Sequence, residues 1–153
     1  MEGIKWTCRW ELTKMLNGKE IEKVLIPGNM LLTNGANAIW KLLTGDNSVT
    51  PFTANNTYIG VGDSATAVSP AQTDLQATTN KVYVKVEDGY PLIQGNQIMF
   101  LASFGENVAN FDWNEMTIAN GNSASKVCLN RKVQALGEKE EGIWLLKAII
   151  TIS

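Results

Sequence analysis

Short stretches in which apolar and polar residues alternate recur along most of the chain. In the first, over residues 5–12, Trp6, Cys8 and Trp10 alternate with polar or charged side chains. A period of two is typical of a β-strand that buries one face. The same alternation recurs at residues 81–87, 97–103, 127–133 and 144–152. This repetition constrains the fold more than any other feature, and it predicts a mainly β protein.

Residues that favour turns separate these stretches. The Asn-Gly pair at 17–18 follows the first alternating stretch and precedes a second strand candidate at 20–26. Asn-Gly between two strands is the strongest short hairpin signal. We therefore expect an N-terminal hairpin within residues 1–28.

A change of apolar phase marks the segment that starts at Phe111. Its aromatic side chains lie on one side as far as Trp113, and the phase then shifts to Met116 and Ile118. Such a shift predicts a β-bulge near residues 114–115.

One stretch has helical rather than strand periodicity. Its apolar side chains recur at i, i+3, i+4 and i+7, namely Ala36, Ile39, Trp40 and Leu43. Thr33 or Asn34 can cap the first turn, and Gly45 can end the last one. We expect a short helix near residues 34–44 whose apolar stripe packs on a sheet.

These elements predict one domain over residues 1–153. The chain is 44% hydrophobic, which suffices for one core without disulfides or metal. The expected architecture is an antiparallel β-sandwich or barrel with the helix closing one end. Trp40, Trp113 and Trp144 are expected in the core. Trp6 and Trp10 fit either the core or an exposed apolar patch.

Residues 63–80 are rich in small side chains and turn formers and show no clear period. A loop of this length in a compact domain is usually functional or an interaction arm. We take this loop and the hairpin within residues 1–28 as candidate interaction arms.

The residue types argue against catalysis. The chain has no histidine, which removes the commonest general base and metal ligand. The glycines at 60–62 lack the lysine or spacing of a phosphate-binding loop. Glu115 is expected to pair with Arg131 rather than to act as an acid or base. The charged run at 138–141 is expected to be a solvated loop, and we expect neither a cofactor nor a metal.

Charge and hydropathy exclude two further classes of partner. The net charge is −2, and the positive residues are scattered, so we expect no binding of nucleic acid. No apolar run is long enough to cross a membrane, and residues 1–6 lack the apolar segment of a secretory signal.

Cys8 and Cys128 allow two interpretations. They could be bonded if the first and last strands are neighbours, or they could be buried free thiols in a reducing cytoplasm. We favour free thiols.

Three stretches resemble small virion proteins of tailed bacteriophages. The sequence NMLLTNG at 29–35 opens the predicted helix after two strands, as in small phage structural proteins. YIGVGDS at 58–64, with TDL at 73–75, is similar to the N-terminal domains of tail-collar-fibre proteins. FDWNE at 111–115, LNRKV at 129–133 and the last strand resemble the end of phage virion proteins. The chain departs from that pattern at 116–118, where it lacks the usual glycine.

The resemblance implies a structural protein of the virion, synthesised in the host cytoplasm. Because the last predicted strand leaves no room for a stalk, we expect a capsid decoration (cement) protein that binds and stabilises the head. The alternative is a tail, collar or fibre-associated protein with an adsorption or adaptor role. The expected partners are the major capsid protein and copies of the chain itself, as dimers or trimers. The candidate interface residues are Ile4, Trp6, Trp10, Ser64, Val68, Pro70 and Leu75.

Overall fold

The structure, a computed structural model, describes residues 3, 5–28 and 30–153. These residues form ten strands and one helix: β1 Trp6–Leu16, β2 Lys19–Pro27, β3 Met30–Leu31, α1 Thr33–Leu43, β4 Tyr58–Gly62, β5 Lys81–Lys85, β6 Leu92–Gln94, β7 Gln97–Phe104, β8 Asp112–Ala119, β9 Asn130–Glu138 and β10 Ile143–Ile152.

The strands form two antiparallel five-stranded sheets. Sheet A has the order β2-β1-β10-β7-β6, and sheet B has the order β3-β9-β8-β4-β5. The mainly β prediction is confirmed. Of its two alternatives, the structure is a β-sandwich and not a closed barrel.

The N-terminal hairpin forms as the sequence predicts. Strands β1 and β2 pair in antiparallel register, with Leu16 opposite Lys19. Asn17 and Gly18 have φ angles of 52° and 78°. Positive φ at both central residues is the requirement of the type I′ turn that Asn-Gly favours.

The core lies between the sheets and is rich in aromatic side chains. Trp113 of β8 packs edge-on against Phe104 of β7 and Trp144 of β10, with ring centroids 4.8 Å apart in both pairs. The Trp113 indole N–H donates to the Ala109 carbonyl at 2.9 Å. This satisfies its buried polar atom, so the indole stabilises the core without an unpaired donor.

The β-bulge is also confirmed. Pairing between β8 and β9 shifts register between Trp113 and Glu115. Beyond the bulge, Met116 and Ile118 join the core. Since side chains alternate along a strand, Glu115 lies on the face of sheet B that points away from sheet A.

Helix α1 differs from the prediction at its first turn. It is preceded by Leu32, and its N-terminus has no side-chain cap, so neither Thr33 nor Asn34 fills that role. The Thr33 amide instead donates to the Pro70 carbonyl at 2.9 Å. A backbone carbonyl from the long loop therefore replaces the expected cap.

The helix is also rotated relative to the prediction. Its buried residues are Gly35 and Ala38. A Cβ at Gly35 would overlap the backbone of Leu129, so only glycine allows this close approach of helix and sheet B. The predicted burial of Trp40 and Leu43 is wrong, because their side chains are 63% and 73% exposed.

The loop at 63–80 lies across the outer face of sheet B. Leu75 and Ala77 are buried there. The loop thus forms a partial third layer, with part of its surface against the sheet and part exposed.

Both cysteines are buried free thiols, as favoured from the sequence. Burial raises the pKa of both thiols above their ordinary values.

Candidate interaction surface

An apolar groove lies at one end of the sandwich, where the inner face of sheet A runs past the core. Trp6 at the start of β1 pairs with Ile152 at the end of β10. Two backbone hydrogen bonds between Lys5 and Ser153, at 2.6 and 2.9 Å, extend this pairing. By the alternation of the two strands, both apolar side chains lie on the face that carries Trp10 and Ile150 into the core.

Helix α1 forms the other wall of the groove. We call the space between them the helix-end groove; it has a volume of about 370 Å³. Its principal lining side chains are Trp6, Leu31, Ile39, Trp40, Leu43 and Ile152. Trp6, Leu31 and Ile39 also pack against the main core. The floor of the groove is therefore continuous with the core.

The large apolar side chains at the outer part of the groove are unusually exposed. Ile152 is 54% exposed, in addition to the exposure of Trp40 and Leu43. Single exposed apolar residues are common, but a contiguous patch of them marks an interaction surface. Because the lining is apolar, this surface can bind by excluding water and offers no group for acid–base chemistry or metal binding.

A buried ion pair fastens the long loop to sheet B. Arg131 Nε lies 2.8 Å from Glu115 Oε2, which confirms the pairing predicted from the sequence. The Glu115 carboxylate also accepts the backbone N–H groups of Gln76 and Ala77, each at 2.8 Å. From the other side, Arg131 Nη1 donates to the Thr66 carbonyl at 2.9 Å. The Glu115 carboxylate and the Arg131 guanidinium therefore both hold the loop at 63–80 through its backbone.

A second anchor of the loop is centred on Asp74. Lys81 and Lys126 each place Nζ 3.0 Å from its carboxylate, and Tyr83 donates a hydrogen bond to it. Burial opposes ionisation of Asp74, but the hydrogen bonds from Tyr83, Lys126 and Lys81 outweigh it and hold its pKa below the ordinary value. The Asp74 carboxylate therefore stays ionised, and its role is structural, because it anchors the loop.

One residue of the charged run at 138–141 contradicts the prediction of a solvated loop. Lys139 is fully buried. Its Nζ donates to the Gly105 carbonyl at 2.6 Å and to Asn110 Oδ1 at 2.8 Å. Burial lowers its pKa. The ammonium group ties the loop between β7 and β8 to the end of β9, while the other three residues of the run are exposed.

The structure places the expected interface residues in different environments: the core, the helix-end groove and the long loop. Trp10 and Leu75 are buried within the domain, so the structure removes both from a candidate interface. Trp6 lines the helix-end groove. On the long loop, Ser64 and Val68 are half-buried and Pro70 is exposed. Ile4 lies outside the described residues.

Three surface residues were missed by the sequence reasoning, namely Trp40, Leu43 and Ile152. The helical period of Trp40 and Leu43 predicts one apolar stripe packed on a sheet, but at these two positions the stripe is exposed. Gly35 was the available signal, because a glycine inside a helix often marks a close contact.

Within residues 3, 5–28 and 30–153, no group of three or more Cys, Asp or Glu side chains is placed to hold a metal ion. The one helix in this part of the chain is too short to cross a membrane. Comparison with models of protein families, with curated proteins and with solved structures yields no significant match.

Proposed function

We propose that this chain is a non-catalytic structural protein of a tailed-bacteriophage particle, which joins its neighbours through apolar surface. The observation that carries the proposal is the helix-end groove, where Trp40 and Leu43 are left exposed beside a continuous core. The phage context comes from the sequence resemblance at residues 29–35, 58–64, 73–75, 111–115 and 129–133 and in the last strand.

The magnitude of the apolar surface supports assembly. A large apolar side chain has roughly 200 Å² of surface. With exposed fractions of 63% for Trp40, 73% for Leu43 and 54% for Ile152, these three side chains expose about 380 Å² in total. At about 25 cal/mol per Å², burying all of this area contributes at most on the order of 10 kcal/mol before the costs of association are subtracted. A surface of this kind stabilises an assembled state in which it is covered.

The groove favours a protein partner over a carbohydrate. A sugar platform combines an aromatic face with polar groups that bind the hydroxyls and fix their orientation. The groove has Trp40 as an aromatic face, but its lining side chains are apolar. The carboxylates of Glu115, which is buried, and of Asp74, which is half-buried, are engaged in holding the loop.

The place in the particle that we propose is the outer surface of the head, as a decoration protein bound to the major capsid protein. Many copies would each bridge neighbouring capsid subunits and slow their separation. Exposed loop residues such as Pro70 are available for this contact, since the loop is held rigidly by Glu115 and Arg131. A tail, collar or fibre position is the alternative.

The test is to locate and count the chain in purified particles. Quantitative mass spectrometry gives the copies per particle, and labelled micrographs give the position. Hundreds of copies on the head are expected. A few copies at the tail or collar would replace decoration with the alternative. Absence from particles would overturn the virion proposal.

A further inference from the structure

The chain contains three Asn-Gly pairs, at residues 17–18, 34–35 and 120–121. Asparagine is a thermolabile residue, and a following glycine has no side chain to shield its backbone nitrogen. That nitrogen can attack the asparagine Cγ, but only after rotation about the asparagine Cα–C bond brings the two atoms together. Helices and tight turns restrict this rotation. The tertiary structure therefore decides which of the three pairs can react.

The pair at the tip of the β1–β2 hairpin has the fewest restraints. Asn17 and Gly18 are both exposed. In the part of the chain that the structure describes, neither the Asn17 side chain nor the Gly18 backbone N–H makes a hydrogen bond. Asn17 also has a φ of 52°, a region that a residue with a Cβ adopts at a cost. Opening the tip breaks few contacts, so this rotation occurs there through a small local fluctuation.

The pair at the start of α1 is held by its backbone. Asn34 is exposed, but Gly35 is buried in the first turn, where a Cβ would overlap the backbone of Leu129. The preceding Thr33 amide donates to the Pro70 carbonyl at 2.9 Å. Rotation at Asn34 would break the first turn and separate the helix from sheet B, so this pair is protected in the folded protein.

The pair after β8 is held by its side chain. Asn120 is only 7% exposed. Its Nδ2 donates to the Thr50 carbonyl at 2.9 Å, and its Oδ1 accepts the Val127 N–H at 2.7 Å. The amide cannot turn towards the nitrogen of Gly121 without losing both hydrogen bonds, so this pair is protected as well.

We infer that Asn17 is the site at which the folded protein deamidates spontaneously. The Gly18 nitrogen loses its proton and attacks Cγ, the new N–Cγ bond closes a succinimide ring, and the Cγ–Nδ2 bond breaks to release ammonia. Water then opens the ring at either carbonyl carbon. One opening gives aspartate, and the other gives isoaspartate, in which the main chain runs through Cγ. The inference does not depend on the proposed virion role.

The reaction changes both the charge and the geometry of the hairpin tip. A neutral amide becomes a carboxylate, so the formal net charge changes from −2 to −3. Isoaspartate adds one carbon to the main chain between Leu16 and Lys19, which face each other across the two-residue turn. The tip is exposed, so we expect the change to remain local and the core of the sandwich to stay intact.

Peptide mapping by mass spectrometry tests the inference on the purified full chain. The protein is incubated at mildly alkaline pH, which favours loss of the amide proton, once folded and once in urea. In the folded protein, Asn17 should deamidate at least about tenfold faster than Asn34 or Asn120, because the tip opens more often. In urea all three pairs should react at similar rates, since they share the same dipeptide.

Asn17→Gly is the matched control. Gly-Gly also suits a type I′ turn, and this variant has no amide at the tip. The early acidic species seen on ion exchange of the folded wild type should be absent from it. Persistence of those species in Asn17→Gly would overturn the inference. So would an Asn17 that stays intact in the folded protein, or an Asn34 or Asn120 that reacts as fast as Asn17 there.

Discussion

Arg131 of β9 and Glu115 of β8 form an ion pair in which Nε lies 2.8 Å from Oε2 and both side chains are fully buried. The pair lies between sheet B and the loop at 63–80. Each partner also bonds the loop backbone, Glu115 through Gln76 and Ala77, and Arg131 through Thr66. The buried ion pair therefore fixes the loop at 63–80 against the outer face of sheet B, so the loop does not project as a free arm.

Glu115→Gln should destabilise the protein by about 3–5 kcal/mol. The substitution keeps the shape of the side chain but leaves the Arg131 charge buried without its partner. Urea unfolding at neutral pH measures the free energy of unfolding. Glu141→Gln, at an exposed position, is the matched control and should change it by less than about 0.5 kcal/mol. Equal stability of Glu115→Gln and the wild type would contradict the role assigned to the pair.

Gly62→Ala should destabilise the protein by about 1–3 kcal/mol. A Cβ at this position would overlap Glu115 Oε1 and approach Ala77 Cβ to 3.1 Å. The carboxylate cannot move aside, because Arg131 and two loop amides hold it. At Gly121 the nearest atom to a new Cβ is Lys126 Cβ at 3.6 Å, an ordinary contact. Gly121→Ala should therefore be neutral or slightly stabilising, and similar effects at the two sites would argue against a tightly packed loop.

The stability should fall at alkaline pH partly because of Cys8. Burial raises the pKa of this thiol from 9.0 to about 12. Since its pKa is higher in the folded state, the thiol contributes stability that is complete below pH 9 and is lost as the pH rises towards 12. The contribution is at most about 4 kcal/mol.

Urea unfolding from about pH 8 to pH 11 tests this contribution. Cys8→Ala should lower stability at pH 8 through lost packing, but its stability should fall less steeply with pH than that of the wild type. Cys128 and Tyr83, whose pKa values burial also raises, remain in both proteins. Parallel curves for the two proteins would contradict the role of Cys8.

Local patterns were sufficient for much of the fold. Alternation predicted the long strands, and the Asn-Gly pair at 17–18 predicted the hairpin, because both depend on residues near each other in the chain. The phase shift after Trp113 predicted the bulge. The pairing of Glu115 with Arg131 could also be predicted, because opposite charges occur on strands that were expected to be neighbours.

The residues that line the helix-end groove could not be predicted from the same local patterns. Periodicity shows which side chains share a face of a helix, but not whether that face meets a sheet or solvent. The rotation of α1 depends on the contact of Gly35 with the backbone of Leu129, which is remote in sequence. The sequence by itself determined that the protein is built from paired strands with one helix and carries an apolar stripe. Only the tertiary structure decided that Trp10 is buried and Trp40 exposed, because long-range packing selects which apolar surface the core can accommodate.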